Sequence, residues 1–248
     1  MTGPQAYITA VVYALPGLII GFTLHELAHA ATAVRLGDPT PRRLGRLTLD
    51  PREHVDPVGL GLLLTVGFGW AKPVVFSPAY IRTGLQQAAV AAAGPLTNLL
   101  LAVVFAVALH AELATSSTLL DRAVLNMSLG QGGPDVILFN LLVEAFFVNV
   151  VLFVFNSLPV PGLDGYATAR GLLGRQLPDV FRWMEANRQL IYLGLILLIF
   201  VLPQFQGGVN PLYSTILHVN DFLYHHFVDS SSTVVGSLPN IFNLFQQQ

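Results

Sequence analysis

Cysteine is absent from the 248 residues. Its absence excludes disulfides, thiolate metal sites and cysteine nucleophiles together, so any bound metal must sit on His, Asp or Glu. Charge is scarce as well. Asp, Glu, Lys and Arg make up 10% of the chain, against about 25% in an ordinary soluble domain, too few to coat a surface facing water. The net charge is −2 and the basic residues form no dense tract, so nothing favours a nucleic-acid partner. No basic residue precedes the first apolar run, which continues well past the length of a signal-peptide core. The N-terminal segment is therefore expected to be retained.

What the chain does have is apolar sequence: 53% hydrophobic residues and a mean hydropathy of +0.62, which place it among integral membrane proteins. The expected fold is an all-α polytopic membrane protein of about four to six transmembrane or membrane-embedded segments, with a short re-entrant β segment. Residues Tyr7 to Leu36 are long enough to cross about 30 Å of hydrocarbon at ~1.5 Å per residue. Gly37 to Pro57, with four prolines and five arginines counted from Arg35 to Arg52, reads as an interfacial loop. Val58 to Phe76 is apolar but punctuated by glycine, and a membrane-embedded re-entrant segment or strand pair is expected there in preference to a helix. Leu85–Leu109 and Val136–Leu158 are the second and third spans, Gln189–Leu202 is a shorter fourth, and Leu212–Phe227 is expected to lie at the interface.

With the N-terminus outside, four spans place eleven of the twelve basic residues inside and only Arg122 outside, as the positive-inside tendency requires. The location expected is a bacterial-type inner membrane. No internal repeat is visible, and residues 1–248 read as one domain, with a motif core at about 21–175 and a membrane-associated extension at 176–248.

The first chemical constellation is His25-Glu26-Leu27-Ala28-His29. Histidines four apart share a helix face and can bind one zinc, while the adjacent glutamate reaches a metal-bound water. An unpaired carboxylate in hydrocarbon costs about 2.5 kcal/mol or more, so three ionisable residues within five positions of a span require a function. Two histidines leave a catalytic zinc one protein ligand short. Asp164 is the candidate third ligand, since Pro159, Pro161 and Gly162 break the preceding helix and can turn it back into the membrane; its other reading is a loop aspartate capping the helix that follows. Glu144 is the competing carboxylate.

Three motifs then occur in order: HELAH at His25–His29, AGPLTN at Ala93–Asn98 and NSLPVPGLDG at Asn156–Gly165. Together they resemble the site-2 protease family of intramembrane metalloproteases, which pairs HExxH with NxxPxxxxDG. GWAKPV at Gly69–Val74 and HVDPVG at His54–Gly59 are similar to its compact bacterial branch, and the resemblance covers about Gly21 to Arg175. It implies His25, His29 and Asp164 as ligands of Zn2+, Glu26 as catalytic base, and regulated cleavage of transmembrane substrates within the bilayer. No PDZ-like insertion or nucleotide-sensing domain is present among these motifs. By family analogy Asn156 and Asn98 lie near the metal, where either would stabilise an oxyanion or, as intramembrane amides often do, tie helices together. Around Gly67–Val75 a strand edge would hold the unwound substrate extended. Trp70 and Lys72 of that stretch are candidate substrate contacts, Lys72 reading otherwise as a loop or snorkelling lysine.

Two other classes fit less well. A membrane di-iron oxygenase would use His25/His29 with His225/His226, but the seven histidines are spread over both expected faces. A transporter would show repeated halves, and an inactive scaffold would not need Glu26.

Overall fold

The computed structural model describes residues 4–66, 69–115, 133–202 and 211–228. Helices dominate: α1 (Pro4–Arg35), the single turn α2 (Thr40–Arg43), α3 (Pro57–Val66), α4 (Gly84–Thr115), α5 (Gly133–Asn156), α6 (Asp164–Leu173), α7 (Pro178–Ala186), α8 (Arg188–Ile196) and α9 (Pro211–Phe227). Among the described residues three segments are long and apolar enough to cross a membrane: Tyr7–Arg35, Gly84–Ala114 and Gly133–Asn156. This is a membrane protein built on three mutually packed helices, α1, α4 and α5.

Small residues let these helices approach. Gly17 and Gly21 are four apart on one face of α1. A β-carbon at Gly17 would stand 2.5 Å from the Ala145 Cα of α5, and one at Gly21 would stand 2.9 Å from Leu152 Cδ1. This is the small-xxx-small pattern by which membrane helices gain van der Waals contact without a hydrophobic driving force. Gly84 and Gly171 do the same for α4 and α6, each lacking the side chain that would strike the other's carbonyl.

The expected β segment is not found among the described residues. Residues 57–66 are helical, and the stretch from Gly69 to Ser77 is extended with a single bridge between Val55 and Ala71. The reason is local. Asp56 caps the helix, its carboxylate accepting from the Val58 and Gly59 N–H groups at 2.8 and 2.9 Å, and Pro57 follows at the first helical position, where its missing N–H costs nothing. Leu60, Leu63 and Leu64 then fall on one helical face and pack on the α1 cluster of Ala10, Ala14, Leu18 and Phe22. Gly59 and Gly69 allow the returning chain to pass close to α3, at Trp70 and Gly59 respectively.

The expected fourth span is helical from Arg188, as α8 followed by a π-helical turn at Leu197–Val201, shorter than the three long segments. The last expected segment, α9, packs on α4 and α5 instead of lying free at an interface. Ile216, Leu223 and Tyr224 join Ala102, Ala106, Leu109 and Phe146 in one core, and the His110 ring bonds the Val228 carbonyl.

Candidate metal centre

The histidines of the HExxH stretch sit in α1, one turn apart and buried at 6% and 7% exposure. Opposite them α5 ends at Asn156, and the chain turns through Pro159, Pro161 and Gly162, the last at φ +90°, a backbone that side-chain-bearing residues rarely adopt. Asp164 begins α6. No side chain caps that helix; the Asp164 carboxylate points instead to the histidines, with Oδ2 at 3.0 Å from His25 Nε2 and 3.3 Å from His29 Nε2. Gly165 permits this turn, because a side chain there would strike the Ser157 carbonyl. Among the described residues His25, His29 and Asp164 form the one group able to hold a metal. Glu144 is buried within α5 and outside it, and His225 and His226 lie at the exposed end of α9.

The donor set fits a zinc ion. His25 Nδ1 donates to Asn98 Oδ1 at 2.6 Å and His29 Nδ1 donates to the Val90 carbonyl at 2.7 Å. With both Nδ1 atoms protonated, both Nε2 atoms carry lone pairs, and these face each other at 3.1 Å beside the Asp164 carboxylate. Three acceptors pointed at one another repel unless a cation lies between them. Ligands placed tetrahedrally at ~2.0–2.1 Å from zinc are separated by roughly 3.3 Å, close to the three distances seen. Space for the ion comes from α4: a β-carbon at Gly94 would stand 2.6 Å from His25 Nε2 and closer still to His29 Nε2, roughly where a metal belongs.

Glu26, 7% exposed, accepts from the Val74 N–H at 3.0 Å through Oε2. The extended segment therefore lies against the expected base. Arg46, 9% exposed, holds that segment by donating to the carbonyls of Glu53, Lys72 and Pro73. Asp38 holds its far end, accepting from the Ser77 N–H at 2.6 Å and the Thr40 N–H at 2.9 Å. Desolvation pushes the Asp38 carboxyl up, but the bonds from Thr40 and Ser77 and the charge of Arg43 outweigh it and hold the group below its ordinary value. Asp56 is held low too, chiefly by the N–H groups it caps.

Other expected site residues stand differently. Asn98 is fully buried, and its amide donates to the Gly21 carbonyl at 3.3 Å and to Asn149 Oδ1 at 2.9 Å, which leaves no proton for an oxyanion. Asn156 is partly buried and donates to Leu152 of its own helix at 3.0 Å. Trp70 is 44% exposed, while the Lys72 ammonium donates to the Arg52 carbonyl at 2.7 Å. Sequence reasoning missed Gly94 and Asn149. The signal for Asn149 was available, since an amide within FFVNVVLF needs a partner in hydrocarbon; Gly94 had only its place in AAAGPLTN.

Residues 13–201 match peptidase family M50. The chain is 39% identical over 169 residues to "Putative zinc metalloprotease YwhC" of Bacillus subtilis, covering 65% of this chain and 69% of that one. It is 31% identical over 209 residues to "Putative zinc metalloprotease Rip2" of Mycobacterium tuberculosis, covering 82% and 72%. The Mycolicibacterium smegmatis protein of the same name is 28% identical over 201 residues, covering 79% and 70%. No solved structure matches. A buried two-histidine, one-aspartate cluster beside a glutamate, on helices that match the family from the first span to α8, leads to one conclusion: this chain belongs to peptidase family M50, the site-2 protease family, and is a zinc metalloprotease.

Proposed function

We propose that this protein hydrolyses peptide bonds of transmembrane substrates inside the bilayer, with zinc on His25, His29 and Asp164 and with Glu26 as general base. The observation that carries the reading is the depth of the cluster. His25 lies ten residues before Arg35 on α1, about 15 Å of helix, or roughly half the hydrocarbon thickness.

Zinc, when bound, supplies a Lewis acid that polarises the scissile carbonyl and acidifies water. Glu26 removes the proton of the attacking water and returns it to the leaving amide nitrogen. The Val74 N–H on Oε2 fixes the orientation of that carboxylate. A helical substrate has its carbonyls engaged in i to i−4 bonds, so it must unwind locally first. The extended stretch from Gly69 to Ser77, beside Glu26, suits an unwound chain lying alongside, with Trp70 and Lys72 at its edge. Asn156, at the end of α5, is the remaining amide for the oxyanion.

The N-terminus lies outside an inner membrane in this reading, on the distribution of basic residues, and four crossings fit the contacts at both ends of α4. Gly171 of α6 meets Gly84 and Ala88 at its start, whereas α9 meets His110 near its finish. From Ala88 to His110 is about 33 Å of helix, and the chain between Gly171 and Val228 leads from one of these contacts to the other. This supports a fourth crossing, despite the shortness of α8.

The test compares purified wild type, Glu26→Gln and Asp164→Ala in detergent, for zinc content and for cleavage of a model transmembrane substrate. Wild type is expected to hold about one zinc and to cleave, Glu26→Gln to keep zinc but lose about 10²-fold or more of the rate, and Asp164→Ala to lose the metal. Cleavage by Glu26→Gln at the wild-type rate, or a metal-free active wild type, would overturn the reading.

A further inference from the structure

We propose that Asn149 of α5 is a positioning residue for the metal centre, acting through Asn98 of α4 on His25 of α1. The proposal rests on the reading of His25 as a metal ligand and goes beyond it, because Asn149 touches no ligand itself. Three hydrogen bonds run in series, donor to acceptor, from α1 through α4 to α5, and a fourth returns from Asn98 to α1. The Asn149 amide donates to the Ala145 carbonyl at 2.8 Å, Asn149 Oδ1 accepts from Asn98 Nδ2 at 2.9 Å, Asn98 Nδ2 also donates to the Gly21 carbonyl at 3.3 Å, and Asn98 Oδ1 accepts from His25 Nδ1 at 2.6 Å. Asn98 and Asn149 are both wholly buried.

The physical problem that Asn149 solves is the ambivalence of Asn98. A side-chain amide turned by 180° fits the same space with oxygen and nitrogen exchanged. In that orientation Asn98 would present N–H to His25 Nδ1. It would then favour the tautomer with the proton on Nε2, which cannot ligate a metal. The Gly21 contact, at 3.3 Å, is the longer of the two bonds made by Nδ2. Asn149 decides the matter: its own nitrogen is taken by Ala145, so only its oxygen faces Asn98, and that oxygen demands a donor. Gly21 completes the device, since a β-carbon there would stand 2.9 Å from Asn149 Oδ1 and push it away. Plain helix glue would need hydrogen bonds between α4 and α5, but not this polarity ending on a ligand.

The experiment uses the full chain in detergent, stripped by a chelator and titrated with Zn2+ against a chromophoric competitor. In parallel Co2+ is loaded and its d–d absorption recorded. Asn149→Leu is expected to weaken zinc binding by about 10- to 100-fold, the usual cost of losing an outer partner of a histidine ligand, and to change the Co2+ spectrum. Asn149→Asp, whose neutral carboxyl can donate to Ala145 and accept from Asn98, should restore affinity to within about threefold of wild type on that same scale. The double variant Asn98→Leu/Asn149→Leu should bind no more weakly than Asn98→Leu alone, as expected for residues acting in series. Gly21→Ala should reproduce the Asn149→Leu loss. If Asn149→Leu yields no folded protein, tight binding by Asn149→Asp with weak binding by Gly21→Ala supports the proposal, and the reverse overturns it. Asn149→Leu with wild-type affinity and an unchanged Co2+ spectrum sinks this proposal alone. A wild type that takes up neither metal sinks the zinc site as well.

Discussion

A methyl group at position 94 would stand against both histidine Nε2 atoms, 2.6 Å from that of His25, and it belongs to α4 backbone that cannot retreat without moving the α1–α4 contact. Gly94→Ala is therefore expected to lower zinc content at least about tenfold while leaving a folded protein, and Gly61→Ala, which meets nothing within 4 Å, to leave it unchanged; elemental analysis of the two purified variants decides. At this scale His25, Glu26 and His29 stood out beforehand, because ionisable side chains in hydrocarbon are too costly to lack a purpose, and Asp164 was a candidate from the helix break before it and its motif. Gly94 was not. A glycine's contribution is the side chain it lacks, and what that side chain would strike is known only once the neighbouring helix is in place. Asn98 was picked out as an amide near the metal, but its protons turn out to be spent on Gly21 and Asn149.

The element that departs most from expectation is the stretch between α1 and α4. A re-entrant segment or strand pair was expected over 58–76 because the stretch is punctuated by glycine, bounded by prolines and ends in a β-rich part. The Asp56 cap and Pro57 instead start a helix, and the extended return from Gly69 is held by Arg46 and Asp38 in place of ladder bonds. Val74→Pro removes the N–H that binds Glu26 and is expected to slow cleavage about tenfold or more with zinc retained, since an unoriented base loses much of its 10²–10⁴-fold contribution. Unchanged turnover would count against a role for this segment. Asp38 adds a dependence on pH. Its carboxyl titrates lower in the folded protein than in the unfolded chain, so its stabilisation is complete above the ordinary carboxylate range near ~3.9 and is lost as pH falls through the folded value. Thermal unfolding of metal-free wild type should weaken more steeply with acid than that of Asp38→Asn; equal slopes would show that the strap does not depend on this charge.

The described residues form a three-helix membrane core with α3, α6 and α9 packed against it, and its orientation can be read directly because the chain has no cysteine. Single cysteines at Gln176 and Ala111, both exposed, should react with an impermeant thiol reagent from opposite sides of sealed vesicles, Gln176→Cys from the cytoplasmic side. Labelling of both from one side would overturn the proposed topology. Composition and hydropathy alone determined that the chain lives in a membrane and roughly where its three long helices fall, and helical spacing put His25 and His29 on one face, with Asp164 a candidate to join them. These follow from transfer energies and helical spacing, which are properties of a chain and its solvent. Tertiary structure decided that α3 packs on α1, that α9 joins the core, that Gly94 leaves room beside the two histidines, and that Asn149 and Asn98 set the polarity of the bond to His25. Each of these depends on residues from 50 to more than 100 positions apart meeting across helix faces, and no local pattern encodes which faces meet.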